Sequence, residues 1–278
     1  MNRNDIVSFL KNLRPFRSIH FLLMIFFGVF FSYKFDVIKL ILGFISIFFS
    51  WQFSISLNDI FDVEIDKISN PDRPYVKGAI NKKKYILISI ILAAISIITV
   101  LFMSFISLIF ISFYIFLGYI YSAPPFRFRK YIFGIFIIGI SSSLAYFSGL
   151  FACINIIDLT LTQLLIGILI LAAFSMGTVV KDYKDYEGDK NANVNTIFTK
   201  YGLEKGSKIT SILLLFTFLL PFILIQHLFD FIIIIPMCII VVILFNYKKI
   251  KRKTQITMII YFIEIIYVFL RITLIITY

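Results

Sequence analysis

The residues best suited to chemistry form two acidic motifs with the same spacing. The first motif reads DIFDVEIDKISN at residues 59–70, and the second reads DYKDYEGDKNAN at residues 182–193, so corresponding acids lie 123 positions apart. Asp residues at positions i, i+3 and i+7 share one face of a helix. Two such faces repel each other unless cations lie between them. One motif alone would suit a charged helix end beside a membrane span, but the repetition favours a cation-binding site.

The donor atoms of these motifs indicate which cation they suit. Carboxylate oxygens without a nearby His or Cys suit Mg²⁺ rather than zinc or copper. Mg²⁺ usually keeps several waters and shares its coordination with substrate phosphates. Arg73 and Lys77 follow the first motif in a turn that contains Pro and Gly, and such side chains hold phosphate oxygens well. The residues therefore predict a site for Mg²⁺ and a phosphate or diphosphate, whereas the lysines at 82–84 suit anchoring at a membrane surface.

The rest of the chain predicts the elements that must position these motifs. Of the 278 residues, 60% are hydrophobic and 15% are charged, whereas soluble domains are about half apolar and about a quarter charged. The sequence therefore predicts an all-α polytopic membrane protein with nine transmembrane helices. The stretches long enough to cross a bilayer lie at about 17–35, 37–58, 85–103, 105–123, 131–152, 159–181, 207–226, 229–247 and 255–277.

Basic residues are concentrated on one side of these spans. With the N-terminus inside, 24 of the 27 Lys and Arg residues fall in the inner segments 1–17, 59–84, 124–130, 181–208 and 248–254. The positive-inside rule then predicts a cytoplasmic N-terminus, cytoplasmic motifs and an external C-terminus, in the cell membrane of a prokaryote. The polar residues 1–14 predict no cleavable signal peptide. Since topology and contact with anionic lipids explain the net charge of +12, no binding of nucleic acid is expected.

Several segments resemble a known family of membrane enzymes. The run NDIFDVEID at residues 58–66, followed by Arg73 and Pro74, resembles the N-D-x-x-D-x-x-x-D signature of the UbiA superfamily of intramembrane prenyltransferases. The run KDYKDYEGD at 181–189 is similar to the second Asp-rich motif of that family, and YSAPP at 121–125 is similar to its loop between helices 4 and 5. The segment LRP at 13–15 is similar to the start of its first helix. The resemblance covers about residues 10–275.

The resemblance implies a fold and a set of site residues. It implies one domain over residues 1–278, with repeated halves at about 17–130 and 131–278, whose nine helices surround a cavity under cytoplasmic cap loops. Two Mg²⁺ ions, bridged by a substrate diphosphate, would be held by Asn58, Asp59, Asp62, Asp66, Asp185 and Asp189. The diphosphate would be bound by Arg73, Lys77, Tyr121, Arg127, Arg129 and Lys130. The catalytic residues would be Asp62, Asp182 and Asp185, with Asp182 as a ligand or an acid–base group.

The same resemblance implies transfer of an isoprenyl chain from a polyprenyl diphosphate to a lipophilic acceptor in the membrane. Two Mg²⁺ ions and basic side chains stabilise the charge that gathers on the leaving diphosphate. The acceptor attacks the allylic cation, and a carboxylate removes a proton. The YSAPP loop favours an aromatic or cyclic acceptor of the quinone or tetrapyrrole type. The alternative is ether-lipid synthesis by geranylgeranyl transfer to geranylgeranylglyceryl phosphate, since the second motif also resembles ether-lipid enzymes.

Two functions from other classes remain open at this point. A metal-regulated transporter needs polar groups at membrane depth, and the candidates are Glu264, Arg271 and His20. Either Glu264 and Arg271 pair, or Arg271 extends to the membrane surface; a structural role is expected for both, and a packed or interfacial position for His20. A scaffold that has lost catalysis is disfavoured by the intact motifs. One departure from the family, the run TIF at 196–198, is expected to change the shape of a loop but removes no predicted ligand.

Overall fold

The computed structural model describes residues 7–10, 13–247 and 252–277, and over these residues it is helical, without strands. This confirms the all-α class. The principal α-helices of the described residues, in chain order, are α1 (Ile19–Phe31), α2 (Val37–Phe61), α3 (Val63–Ser69), α4 (Lys82–Leu101), α5 (Phe105–Ser122), α6 (Gly134–Cys153), α7 (Leu161–Gly177), α8 (Asp182–Asn191), α9 (Ile197–Leu219), α10 (Leu228–Asn246) and α11 (Lys253–Thr277).

Most of these helices are long enough to cross a membrane. Within the described ranges, eight helical segments have the length and apolar composition of a membrane span, and α1 is a shorter apolar helix of 13 residues. One of the eight runs continuously over Leu161–Asn191, because a 3₁₀ turn at Thr178–Lys181 joins α7 to α8. The protein is therefore an integral, multi-pass membrane protein, and eight spans plus one shorter helix correspond to the nine predicted stretches.

The largest boundary difference concerns the seventh predicted span. Hydropathy placed it at 207–226, whereas α9 begins at Ile197 and is interrupted by a kink at the non-helical Gly202 (φ 77°, ψ 167°), so that its long part starts about four residues before the predicted span. Thr196 caps this helix, because its side-chain oxygen accepts a hydrogen bond from the backbone nitrogen of Thr199 at 3.2 Å. Residues 199–208 are mostly polar, so a search for apolar runs cannot find this first part of the helix. The run TIF at 196–198 therefore forms a capped helix start.

The described residues form two compact units. The first contains the described residues up to Lys130 together with Ile140–Gly167, and it includes the first acidic motif. The second contains Tyr131–Gly139 and the described residues from Ile168 onward, and it includes the second motif. The single domain with repeated halves at 17–130 and 131–278 stays a prediction.

Small side chains hold α2 in the first unit. The hydroxyl oxygens of Ser46 and Ser50 lie 3.1 Å and 2.6 Å from that of Ser96 on α4. On α5, Gly118 approaches Ser54 of α2 so closely that a Cβ atom at position 118 would collide with the serine side chain. Small residues let helix backbones approach each other in membranes, where packing and hydrogen bonds replace the hydrophobic effect. These contacts fix α2, and α2 carries the first acidic motif at its C-terminal end.

A buried ion pair joins two helices of the second unit. Asp230 on α10 is fully buried, and it accepts hydrogen bonds from Arg271 Nε at 2.6 Å and from the Tyr267 hydroxyl at 2.7 Å, both on α11. Arg271 therefore pairs with Asp230 and not with Glu264, so the predicted pairing is wrong, whereas its extension to the membrane surface stays a prediction. Glu264 is buried, and neither of its carboxyl oxygens has a hydrogen-bond partner. Hydropathy alone could not identify Asp230 as the partner, since it lies 41 residues from Arg271 along the chain.

Candidate active site

The first acidic motif lies at the junction of α2 and α3. Helical geometry ends at Phe61, Asp62 takes a non-helical conformation (φ −108°, ψ 17°), and α3 begins at Val63. The side chains of Asp59, Asp62 and Asp66 are only 1%, 1% and 2% exposed. Burying an unpaired carboxylate is costly, so the fold must supply positive charge at this junction.

Arginine side chains supply that charge to Asp59 and Asp66. Arg14, which precedes α1, donates a short hydrogen bond to Asp59. Arg73 Nη1 lies 3.3 Å from Asp59 Oδ1 and also contacts the carboxylate of Asp66, so one guanidinium joins two acids. The hydroxyl of Tyr85 on α4 donates to Asp59 Oδ2 at 3.1 Å. Three segments of the first unit thus converge on Asp59 and Asp66.

Asp62 is held by the loop that follows α5. Arg127 Nη2 donates to Asp62 Oδ1 at 3.0 Å and to the backbone carbonyl of Phe61 at 2.5 Å. Arg129 pairs with the other carboxylate oxygen, and the amide of Asn58 also contacts it. This arrangement draws the loop at 123–130 onto the end of α2. The predicted residues Asn58, Asp62, Arg127 and Arg129 are therefore brought together.

Burial shifts the proton affinities of the groups in this network. Burial raises the pKa of the Asp66 carboxyl above its usual value, and the positive charge of Arg73 opposes part of that rise. Burial likewise lowers the pKa of the Arg127 guanidinium. At the exposed edge, a hydrogen bond from Lys77 lowers the pKa of Asp72. The charge of Arg73 therefore favours the ionised form of the buried Asp66 carboxyl.

The donor atoms of the first motif fit Mg²⁺. Three carboxylates and the Asn58 amide offer hard oxygen atoms at one helix end, the ligands that this ion prefers. In the part of the chain that the structure describes, no three His, Cys, Asp or Glu side chains form a ready metal cage. Mg²⁺ is rarely bound by such a cage and is usually held by one or two carboxylates, waters and substrate phosphates. The acids that would hold it are here neutralised by guanidinium groups.

The second acidic motif forms α8 in the second unit. Asp182 and Asp189 are buried and Asp185 is partly buried, whereas Glu187 and Lys184 are exposed. The acids with the Asp59–Asp62–Asp66 spacing therefore turn inward in both motifs. Their joint action on one ion stays a prediction.

An aromatic cluster anchors α8 to its own unit. The ring of Tyr183 packs edge to face against Phe198 of α9 and Phe245 of α10, with centroid distances of 5.5 Å and 5.8 Å. Lys253 Nζ lies 3.8 Å from the centre of the Tyr183 ring and donates to the Phe245 carbonyl at 2.9 Å. Its side chain is buried, so the π faces and the end of α10 stabilise a desolvated cation.

Three residues that contact the two motifs were not identified from the sequence: Lys253, Arg14 and Tyr85. Lys253 belongs to the basic segment 248–254, which indicated only membrane topology, and Arg14 lies in the LRP segment, which carried no assigned role. Among the predicted diphosphate ligands, Lys77 pairs with Asp72 at 2.8 Å, and both side chains are mostly exposed. Lys77 therefore lies outside the buried network. Tyr121 and Lys130 are partly buried at the two ends of the loop that carries Arg127.

Fold and site together define an intramembrane enzyme with a buried acid–arginine centre. A model of the UbiA prenyltransferase family matches residues 21–266. The chain belongs to this family and is a prenyltransferase, as the motifs suggested.

Individual relatives carry more specific descriptions. The digeranylgeranylglyceryl phosphate synthase of Methanocaldococcus jannaschii is 31% identical over 210 residues, which cover 74% of this chain and 72% of that protein. A solved structure described as digeranylgeranylglyceryl phosphate synthase in membranes has a TM-score of 0.71 at 26% identity, covering 96% of this chain and 98% of the other. A UbiA homologue from Archaeoglobus fulgidus, bound to GPP and Mg²⁺, has a TM-score of 0.72 at 23% identity, over 96% and 99% of the two chains. This last similarity concerns the fold.

The buried network predicts unequal roles for Arg73 and Lys77 in stability. Arg73→Ala should lower the free energy of unfolding by about 3 kcal/mol, because it leaves the buried Asp66 carboxylate without its cation. Lys77→Ala should lower it by less than about 1 kcal/mol, because its partner is exposed. Denaturation in detergent without divalent cations measures both. Equal losses for the two variants would contradict the network.

Proposed function

We propose that this prenyltransferase acts on a glycerol lipid: it transfers a geranylgeranyl chain from geranylgeranyl diphosphate to the hydroxyl of geranylgeranylglyceryl phosphate, with Mg²⁺. The observation that carries the transferase chemistry is the buried cluster of Asp59, Asp62 and Asp66 with arginines. The observation that favours this acceptor is the similarity to a digeranylgeranylglyceryl phosphate synthase over about three quarters of the chain. The aromatic or cyclic acceptor expected from the YSAPP loop has less support.

The arginines of the first motif are proposed to exchange partners when the substrate binds. Without substrate they neutralise buried acids, as the contacts of Arg73 with Asp59 and Asp66 illustrate. When bound, Mg²⁺ would be held by Asn58, Asp59, Asp62 and Asp66, with Asp185 and Asp189 as further ligands, and would stabilise the charge of the leaving diphosphate. The guanidinium groups of Arg73, Arg127 and Arg129 would then bind phosphate oxygens, for which their planar geometry is well suited.

The proposed reaction forms one ether bond and breaks one ester bond. The hydroxyl oxygen of the acceptor bonds to the first carbon of the prenyl chain while the bond from that carbon to the diphosphate oxygen breaks. Diphosphate leaves with the bonding electron pair, and the hydroxyl proton passes to a carboxylate, for which we propose Asp182. The side chain of Asp182 is buried in the second unit, and exclusion of water from the reacting centre would protect an allylic cation from hydrolysis.

The transporter alternative has no supporting observation. It required Glu264, Arg271 and His20 to form a polar pathway, but Arg271 is bound to Asp230 and stabilises two helices. His20 packs beside Phe21 and Trp51, with ring centroids 3.7 Å and 6.1 Å away. Family membership favours transfer over transport.

We further propose that both acidic motifs and the N-terminus lie in the cytoplasm, as the distribution of basic residues indicates. In a variant without its native cysteines, Glu64→Cys should react with a membrane-impermeant maleimide only after cells are permeabilised. Ile157→Cys, in the loop between α6 and α7, should react in intact cells. Both positions are highly exposed, with 81% of the Glu64 side chain and 91% of Ile157 accessible. The reverse labelling pattern would overturn the orientation.

The acids of the two motifs should separate into essential and dispensable groups. Asp62→Ala and Asp185→Ala should lower the rate of diphosphate release by about 10²–10³-fold or more, because each removes stabilisation of the developing charge. Glu64→Gln and Glu187→Gln are matched controls on exposed faces of the same motifs, and they should retain near-normal rates. EDTA should abolish activity, and excess Mg²⁺ should restore it. Wild-type, EDTA-sensitive release by Asp62→Ala would exclude the proposed site.

The acceptor can be identified from the product. Purified protein with labelled geranylgeranyl diphosphate should yield a new lipid with geranylgeranylglyceryl phosphate, and little product with an aromatic quinone precursor or a tetrapyrrole. Mass spectrometry measures the added prenyl mass. Preferential alkylation of an aromatic or tetrapyrrole acceptor would restore the alternative and reject the glycerol lipid.

A further inference from the structure

Two adjacent polar side chains in the middle of α2 have no hydrogen-bond partner. Gln52 is only 1% exposed, yet neither its amide nitrogen nor its amide oxygen forms a hydrogen bond. The buried indole nitrogen of Trp51 is unpartnered as well. Buried polar groups in folded proteins are nearly always paired, so exceptions call for an explanation. In a membrane span the requirement is stricter, because lipid offers no hydrogen bonds.

Some other buried polar side chains of the first unit satisfy this requirement, whereas the buried hydroxyls of Ser122 and Ser148 do not. Gln163 on α7, which is 2% exposed, donates from Nε2 to the Phe31 carbonyl at 2.6 Å and accepts from the backbone nitrogen of Thr160 at 2.9 Å. On α2 itself, Ser54 and Ser56 donate to carbonyls of their own helix. Gln52 therefore differs from Gln163, the other buried glutamine of this unit, because both atoms of its side-chain amide lack a partner.

Gln52 lies on the face of α2 that leads to the acidic motif. At 100° per residue, Gln52 and Asp59 are separated by about 20° around the helix axis, and by about 10 Å along it. Ser50, which packs against α4 through Ser96, lies roughly 160° away. Gln52 thus lies on the side of α2 roughly opposite Ser50, about two turns from the carboxylates.

The surroundings of Trp51 are aromatic and apolar. Its ring lies 5.0 Å from that of Phe21 on α1, and Phe21 packs edge to face on Tyr114 of α5 at 5.2 Å. Together, the Trp51 N–H, the two amide N–H groups of Gln52 and its carbonyl oxygen offer three donors and one acceptor, all neutral. Such a set matches neutral oxygen atoms, at least one of which belongs to a hydroxyl, better than it matches an anion or a hydrocarbon.

We propose that Gln52 and Trp51 bind the neutral oxygens of the acceptor, its hydroxyl and ether oxygens, below the diphosphate site. This inference rests on the proposed function, because a glycerol-type acceptor supplies both kinds of oxygen next to the reacting atom. The prenyl donor has no oxygen outside its diphosphate, so the pair distinguishes acceptor from donor. Gln52 does not take the proton of the hydroxyl but positions the hydroxyl oxygen for attack. Because its hydrogen-bond partner is the substrate, the Gln52 amide has no partner in the absence of substrate.

The test compares Gln52→Leu with Gln163→Leu in steady-state assays and in thermal unfolding without substrates. Gln52→Leu should raise the KM for geranylgeranylglyceryl phosphate by about 5–20-fold, as expected for lost hydrogen bonds, and change the KM for geranylgeranyl diphosphate by less than about twofold. Trp51→Phe should raise the acceptor KM by a smaller factor. The Tm of Gln52→Leu should be unchanged or higher, because an unsatisfied amide is removed, whereas that of Gln163→Leu should fall.

A deoxy analogue of the acceptor, which lacks the reacting hydroxyl, provides a second measurement. As an inhibitor it should bind wild-type protein more weakly than the acceptor does, and Gln52→Leu should lose most of this discrimination. An unchanged acceptor KM, or a Tm loss like that of Gln163→Leu, would overturn the inference and leave a structural role for Gln52. If the wild-type protein alkylates other acceptors but not geranylgeranylglyceryl phosphate, the proposed function itself fails, and this is seen before any variant is compared.

Discussion

Neutralisation of buried carboxylates at the end of α2 is the constraint on which the rest of the first unit depends. Asp59, Asp62 and Asp66 are almost completely buried, and unpaired charges there would be too costly to keep. Positive charge comes from three separate segments: Arg14 precedes α1, Arg73 lies in the turn after α3, and Arg127 and Arg129 lie in the loop after α5. The ion pairs of the buried acids therefore fix the positions of these segments at the end of α2.

The same constraint explains why arginine, and not lysine, contacts these acids. A guanidinium offers five donors in one plane and is weakly hydrated, so it can join two carboxylates and remain charged when buried. The lysines near the first motif stay at its edge, as Lys67 pairs with exposed Glu64 and Lys77 with exposed Asp72. An arginine side chain held in this geometry is also suited to bind phosphate, because phosphate presents its oxygens in an arrangement similar to that of a carboxylate. Stability without substrate and recognition of a diphosphate thus require the same side chains.

Much of this arrangement could be predicted from sequence, because it depends on local patterns. Apolar runs located the helices, and the spacing of Asp59, Asp62 and Asp66 located a buried acidic face. Contacts between distant segments left no such pattern: nothing beside Arg271 indicates Asp230, and Lys253 resembles any basic residue at a membrane surface. The start of α9 was missed for a related reason, since its first turns are polar and capped by Thr196. Which side chains pair depends on how the helices pack, and the hydrophobic periodicity of the sequence does not encode this packing.

Buried polar groups of the membrane region differ in whether the protein itself supplies their hydrogen-bond partners. Gln163 and Asp230 have their partners within the protein, and each ties helices together at a position remote from the motifs. Gln52 and Trp51 lie near the acids, and their side-chain polar atoms have no such partner. A chain selected for stability alone would remove such groups, because apolar replacements are well tolerated in membrane spans. Their retention beside the reacting centre is the expected result when the missing partner arrives with the substrate.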